Sequence, residues 1–166
     1  MKRAFLISNS YKIDERRIDS LPLEQGDTVA LFNHSVPNKF DRVRCWPDKA
    51  LFMRENPNIY WGLDHLKACS AQYAKVVCLS EKPSPKYDKI KLVRPDAEIY
   101  DYDEMNKDIE AEKSLSMLKD YPKDRMPTSG LMAIVHFALR GHKLFLVEFT
   151  GELSVERKIN PRRHVH

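Results

Sequence analysis

Short runs without a polar residue recur along the chain, among them residues 4–7 (AFLI), 29–32 (VALF), 76–79 (VVCL) and 144–147 (LFLV). Successive side chains of a β-strand point to opposite faces, so a run apolar at every position asks for burial on both. A mainly parallel sheet with helices on each face meets that demand, whereas a solvated antiparallel sheet would alternate apolar with polar. With 166 residues, 42% of them hydrophobic and 31% charged, the chain suffices for one such domain with a packed core and is not disordered by composition.

The rest of the chain divides around these runs. Strands are expected at 3–8, 27–33, 74–80 and 143–149, with a further strand in RVRCW (42–46). KALFMRE (49–55) reads as strand or helix, and IKLVRP (90–95) as a strand. The segment IDERRIDSLP (13–22) reads as a loop with a short helix. Trp61, Leu63, Leu66 and Ala71 lie near helical spacing within 60–73. The two prolines and alternating charges of 81–89 mark a surface loop. The acidic stretch 96–113 reads as solvated apart from Ile99, Tyr100 and Tyr102, so 81–113 is expected to be a charged surface insertion. SLSMLKDY (114–121) suggests a helical piece. Residues 129–139 then read as an apolar helix stopped by Gly141. Residues 1–166 thus form one domain ending in a basic tail, 152–166, with Arg157, Lys158, Arg162 and Arg163.

Composition narrows the function classes. A net charge of +4 favours anionic ligands, and the basic tail is compatible with contact to an anionic membrane surface. Three cysteines without a CxxC pair argue against a disulfide framework and a cysteine-rich zinc site, and for a reducing compartment. No signal-peptide pattern and no apolar run of membrane-spanning length is visible, so a cytoplasmic location is expected. Aromatic and basic residues are not interleaved as nucleic-acid recognition requires.

In a parallel α/β sheet, ligands bind beyond the carboxyl ends of the strands. That rule selects Asn9 and Ser10 after the first strand, Asn33, His34 and Ser35 after the second, and Thr150 and Gly151 after the last. An amide can both donate to and accept from a ligand, or it can close an Asx-turn on its own backbone. Thr128, Ser129 and Gly130 open the apolar helix. Either hydroxyl can cap it, and the helix start offers unpaired N–H groups and a positive dipole end, with Gly130 allowing close approach of an anion. The spacing is neither a Walker A loop nor a GxGxxG fingerprint. Among the histidines, His136 reads as a packing residue, His142 as exposed, His65 as unremarkable, and His164 and His166 as candidate proton acceptors in the tail. The Asp101–Glu104 stretch reads as a solvated face rather than a DxD metal site.

Two blocks carry a family resemblance. KRAFLISNS…IDSLP…DTVALFNHS, within 2–35, and PTSGLMAIVHFALRGHKLFLVEF, 127–149, are similar to bacterial sialyltransferases that use CMP-sialic acid. The resemblance implies a single Rossmann-like α/β domain of the GT-A variant type. It implies an inverting transfer of a CMP-activated acidic sugar to a bacterial surface glycan such as lipooligosaccharide or capsule, with no cofactor and no metal. Asn9, Ser10 and Asn33 would contact the CMP-sugar, and Thr128, Ser129 and Gly130 would hold its phosphate or carboxylate. Arg125 would support the phosphate, and His164 or His166 would act as general base. The family's first turn, Gly-Asn-Gly-Pro-Ser, is replaced here by Ser8-Asn9-Ser10-Tyr11-Lys12, and residues 150–166 hold no tyrosine for the leaving phosphate. The rival expectation is a non-catalytic nucleotide- or nucleotide-sugar-binding protein of the same fold, working as a homo-oligomer.

Overall fold

The structure, a computed structural model, describes residues 1–8, 13–33, 40–54, 63–80, 87–112 and 128–149. Its strands are β1 (Arg3–Ile7), β2 (Thr28–Phe32), β3 (Lys49–Arg54), β4 (Lys75–Ser80), β5 (Glu98–Asp101) and β6 (Lys143–Val147). Its helices are α1 (Glu15–Asp19), α2 (Asp41–Arg44), α3 (Leu63–Ser70), α4 (Tyr87–Val93), α5 (Tyr102–Ala111) and α6 (Ser129–Leu139). Among the described residues the six strands form one sheet in the order β5-β4-β3-β2-β1-β6. Every pairing is parallel. The protein is an α/β, Rossmann-like domain.

The apolar runs explain this arrangement. Along β1, Phe5 and Ile7 enter one core and Ala4 and Leu6 the other, and β2 splits likewise into Val29 and Leu31 against Ala30 and Phe32. The first core is completed by Ile18 of α1, Val43 of α2, and Ile90 of α4. The second is completed by Met105 and Ile109 of α5 and by Met132, Ala133, Val135 and Phe137 of α6. From β1 to β5 each strand is added on the same side, so right-handed crossovers keep α1–α4 on one face. The chain then returns across the other face through α5 and α6, and β6 pairs with the free side of β1. The strand order reverses between β1 and β6, and that is the topological switch point.

Small residues let α6 lie close to the sheet. Ala30 pairs in register with Ala50, and both join Ala4 and Ala133 in the second core with almost no exposure. Polar fastenings gather at the amino edge of the sheet. The Arg3 guanidinium donates through Nε to Asp27 Oδ1 at 2.8 Å, and through its terminal nitrogen to Asp27 Oδ2 at 2.5 Å and to the Pro22 carbonyl at 2.9 Å. It also lies over the stacked rings of Phe5 and Phe145, 5.5 and 5.9 Å from their centroids. Thr28 Oγ1 donates to Asp48 at 2.8 Å, and the buried Lys49 ammonium donates to the Arg44 carbonyl at 2.6 Å.

Three readings from sequence are corrected. RVRCW is not a strand: Asp41–Arg44 is a helical turn that buries Val43 and receives the Asp19 carboxylate at the Arg42 N–H, 3.1 Å away. IKLVRP is not a strand: Tyr87–Val93 is helical, with Ile90 buried and Val93 packed beside it. That helix ends before Arg94, which precedes Pro95, as proline disfavours helical backbone before it. Within the expected insertion the described residues 87–112 include α4, β5 and α5, and the acidic stretch is solvated on one side only, where Asp103 and Glu104 are exposed. β5 closes one sheet edge, Tyr100, Met105 and Ile109 are buried, and Tyr100 donates its hydroxyl to Asp108 at 2.6 Å. The expected helical piece at 114–121, the loop at 81–86 and the tail at 152–166 lie outside the described residues. No helix among the described residues is long and apolar enough to cross a membrane.

The Ala30–Ala50 pair gives a direct test of the close approach of α6. Ala50→Leu is expected to overpack the second core and lower stability by about 1–3 kcal/mol. Urea unfolding midpoints measure it, and an unchanged midpoint would show that α6 does not rest there.

Candidate functional site

The carboxyl edge of the sheet, near the β1/β6 reversal, collects the residues that stand out chemically and conformationally. α6 runs antiparallel to β6, joined to it by the turn at 140–142, so its first residues return to the carboxyl edge. Thr128 caps it, accepting the Leu131 N–H at 3.2 Å. The helix turns at its far end where Gly141 adopts φ +71°. Glu15, Asp41, Asp64 and Asp103 place carboxylates in the first turns of α1, α2, α3 and α5, while the first turn of α6 holds none. The positive end of the α6 dipole is thus unopposed by an acidic side chain of its own first turn.

Ser129 is buried and Thr128 half-buried. The space over Gly130 is filled by protein. A Cβ there would lie 2.8 Å from Cε1 of Phe149, whose ring also meets Phe32 edge-on with centroids 6.0 Å apart. The ring of Phe149 therefore joins the carboxyl end of β2 to the start of α6. A side chain at 130 would force the Phe149 ring to shift, which accounts for glycine there without any ligand.

Two non-glycine residues among those described have left-handed backbones, Asn33 at φ +50° and Glu148 at φ +58°. Each follows the last residue of a strand, β2 and β6, and these are the two neighbours of β1 in the sheet. Asn33 is tied to the ladder by its N–H, which donates to the Phe52 carbonyl at 2.9 Å, and the ladder before Glu148 ends with the Ser8 N–H donating to the Val147 carbonyl at 2.9 Å. Asparagine tolerates this conformation and glutamate does so less readily, so Glu148 carries the greater strain. The Glu148 carboxylate accepts from Arg17 of α1 at 2.8 Å.

Through the Phe32–Phe149–Gly130 contacts the end of β2, which Asn33 follows, is linked to the start of α6. Asn9, Ser10, His34, Ser35, Arg125, Thr150, Gly151, His164 and His166 lie outside the described residues. Glu148, Phe149 and Arg17 were not selected from sequence. The only hint was that residues 148–149 directly follow an apolar run, and nothing in the string announces a left-handed glutamate.

The histidines with described side chains stand at the opposite end. His136 is 1% exposed and held in an aromatic cage, edge-on to Phe52, Tyr100 and Phe137. Its Nε2 lies 2.9 Å from Glu98 Oε1, and Glu98 also accepts from Lys75 at 2.7 Å and Arg140 at 2.7 Å. Glu98 and Lys75 begin β5 and β4, which puts this cluster at the amino edge. Burial pushes His136 below its ordinary range, so at neutral pH it is uncharged and donates through Nε2–H. That hydrogen bond, followed by the one from Lys75, draws the Glu98 carboxyl down to about 2. His136 is thus a packing residue, in line with its reading from sequence. His142 is half-buried against Phe137 rather than exposed, with ring centroids 5.1 Å apart, and burial lowers its pKa. Among the described residues no cluster of three or more His, Cys, Asp or Glu side chains is arranged to hold a metal ion.

No protein-family model matches the chain, and no match is found among curated proteins or among solved structures.

Two outcomes follow from these contacts. Gly130→Ala is expected to destabilise the native protein by about 1–3 kcal/mol, because the Phe149 ring must move. In a Phe149→Ala background the same change should be neutral or stabilising, as alanine favours helix over glycine by about 1 kcal/mol. Equal costs in both backgrounds would rule out the contact. The second outcome concerns pH. A histidine with a depressed folded pKa takes up its proton first in the unfolded chain, so stability is full above about pH 6.5 and falls as pH drops below it. The Glu98 contribution is lost separately, as pH falls from the ordinary carboxylate range towards about 2. His136→Phe should reduce the loss between about pH 6.5 and 5, with His142 keeping its share, and should also shrink the loss at lower pH, because the hydrogen bond that most lowers Glu98 is gone. An unchanged slope in the upper window would assign it to another group.

Proposed function

We propose that the protein binds a nucleotide-activated acidic sugar of the CMP type at the carboxyl edge beside the β1/β6 reversal, and transfers the sugar to a glycan acceptor. The observation that carries this reading is the capped, carboxylate-free start of α6 at the edge where parallel sheets take ligands. The resemblance of 2–35 and 127–149 to CMP-sialic-acid-dependent sialyltransferases supplies the nucleotide and the sugar class. In this reading Asn33 and Asn9 hold the nucleotide. The helix start at Thr128–Gly130, with Arg125, stabilises the charge that develops on the departing phosphate. The phosphate meets the helix through its first N–H groups, since the face over the Gly130 α-carbon is taken by Phe149. Transfer by this route uses no metal, and the acceptor proton passes to a histidine of the tail, His164 or His166. A bacterial surface glycan as acceptor, a cytoplasmic location at the membrane surface and self-association complete the reading.

A second reading, non-catalytic nucleotide-sugar binding, is favoured by one observation: the two histidines with described side chains, His136 and His142, stand away from the carboxyl edge. One general base contributes about 10²- to 10⁴-fold in rate, so binding without efficient turnover is a coherent state.

Thermal shift separates nucleotides. CMP at about 100 times its dissociation constant should add roughly 2.7 kcal/mol of stability, with UDP and GDP giving less. Absence of a CMP-specific shift would remove the reading. CMP-sugar hydrolysis then separates the two forms of it: loss of activity in His164→Ala or His166→Ala supports transfer, and a shift with no hydrolysis in the native protein supports the binding role.

A further inference from the structure

We infer that the protein forms a two-fold dimer through β6: a second copy of this chain adds its own β6, antiparallel and centred on Phe145, to the outer side of the strand. The inference names a surface for the self-association in the reading above and uses none of its sugar chemistry.

The two edges of the sheet are unlike. β5 begins and ends on carboxylates, Glu98 and Asp101, and charge on an edge discourages strand pairing. β6, the opposite edge, reads Lys-Leu-Phe-Leu-Val, with no proline and no carboxylate. Its neighbour β1 buries Ala4, Phe5, Leu6 and Ile7 almost completely, whereas Leu144, Phe145 and Val147 are only half-buried and Leu146 is 51% exposed. The exposure falls on both faces of the sheet, since Phe145 and Val147 border one core and Leu144 the other. A strand apolar on both faces belongs inside a sheet, with a neighbour on each side. Among the described residues β6 pairs with β1 alone.

The backbone selects the register. The Lys143 N–H donates to the Lys2 carbonyl at 2.8 Å and the Val147 carbonyl accepts from the Ser8 N–H at 2.9 Å, so Lys143, Phe145 and Val147 direct their backbone groups at β1. Strand alternation turns those of Leu144 and Leu146 to the outer side. A two-fold pairing centred on Phe145 sets Leu144 opposite Leu146 of the second copy, where they exchange hydrogen bonds. Phe145 then meets its own equivalent in the closer, non-hydrogen-bonded position. Centring on Leu144 or Leu146 would instead enlist His142, whose N–H is given to the Phe137 carbonyl, or Glu148, whose backbone is left-handed. The register at Phe145 also suits the side chains. It covers Leu146 with a leucine, and it carries the Phe5–Phe145 stack, with centroids 4.6 Å apart, across the axis. It sets Lys143 opposite Val147 rather than another ammonium. Being isologous, this contact uses up the β6 edge of both copies and closes.

Sedimentation velocity on the full chain from micromolar to submillimolar concentration, with urea unfolding over the same range, tests the inference. Native protein is expected to pass from monomer to dimer, and its unfolding midpoint to rise with concentration. Leu146→Lys is expected to weaken association by about 10-fold or more, because it sets a charge against an apolar partner at the centre of the contact. Leu146→Pro should weaken it similarly, by removing an N–H that faces outward while sparing the ladder to β1. Leu92→Lys, at the exposed leucine of α4, should leave it unchanged. Native protein that stays monomeric, with a midpoint independent of concentration, overturns the inference; the nucleotide reading, tested separately by the CMP thermal shift, then stands without self-association. A dimer that persists unweakened in the folded Leu146 variants places the interface elsewhere and overturns it as well.

Discussion

Handedness organises the molecule more than any single contact. A parallel connection closes well only as a right-handed crossover, so a chain that adds β2, β3, β4 and β5 always on the same side must keep its helices on one face. Five strands built this way leave their other face bare, and its residues are apolar: Ala4, Leu6, Ala30, Phe32, Ala50, Phe52, Val77 and Leu79. Burying that face requires the chain to reverse. α5 and α6 return across it, and β6 takes up the unused side of β1. The reversal point follows from the need to cover the second face.

The two edges of the sheet then take different burdens. At the amino edge the charged groups are satisfied by one another or by backbone carbonyls: Arg3 with Asp27 and Pro22, Lys49 with Arg44, Glu98 with His136, Lys75 and Arg140. Arg94 likewise donates to the carbonyls of Ser70 and Tyr73. These contacts fix strand starts to helix ends. At the carboxyl edge the conspicuous features are left-handed residues after β2 and β6 and a helix start without its own carboxylate. Strain of this kind persists only where surrounding packing over-determines it, and here the packing is supplied by Phe149 and by the sheet ladder itself.

This division also explains what could be read from sequence. Strands β1, β2, β4 and β6 and helix α6 were legible because each is apolar over a continuous run and bounded by polar or glycine residues. Val43 and Ile90 were misassigned for a shared reason. In short helices a single buried residue between charged neighbours imitates strand alternation, and only the packing partner decides. α5 was hidden because two buried residues, Met105 and Ile109, are enough to seat it against α6, while its other positions carry the acidic charge that dominated the reading. The strand-end rule places Asn33 directly after β2, and helix-start chemistry places Thr128 at the cap of α6, as the structure has them. Neither could lead to Arg17, Glu148 and Phe149, which meet their partners from far along the chain and have no local pattern.

Gly130 shows why a motif and its physical cause must be separated. Thr-Ser-Gly before an apolar helix invites the reading that glycine admits an anion, because close approach to backbone is a common reason for glycine at a helix start. Here the ring of Phe149 already occupies that space, so the glycine is accounted for by packing alone. The proposal of an anion at this helix therefore rests on the remaining features: the dipole and the absence of a carboxylate in its first turn. Neither depends on the glycine. The left-handed step at Glu148 both turns Phe149 towards Gly130 and leaves the carboxylate facing Arg17. A single strained residue thereby couples the seating of α6 to the ion pair with α1.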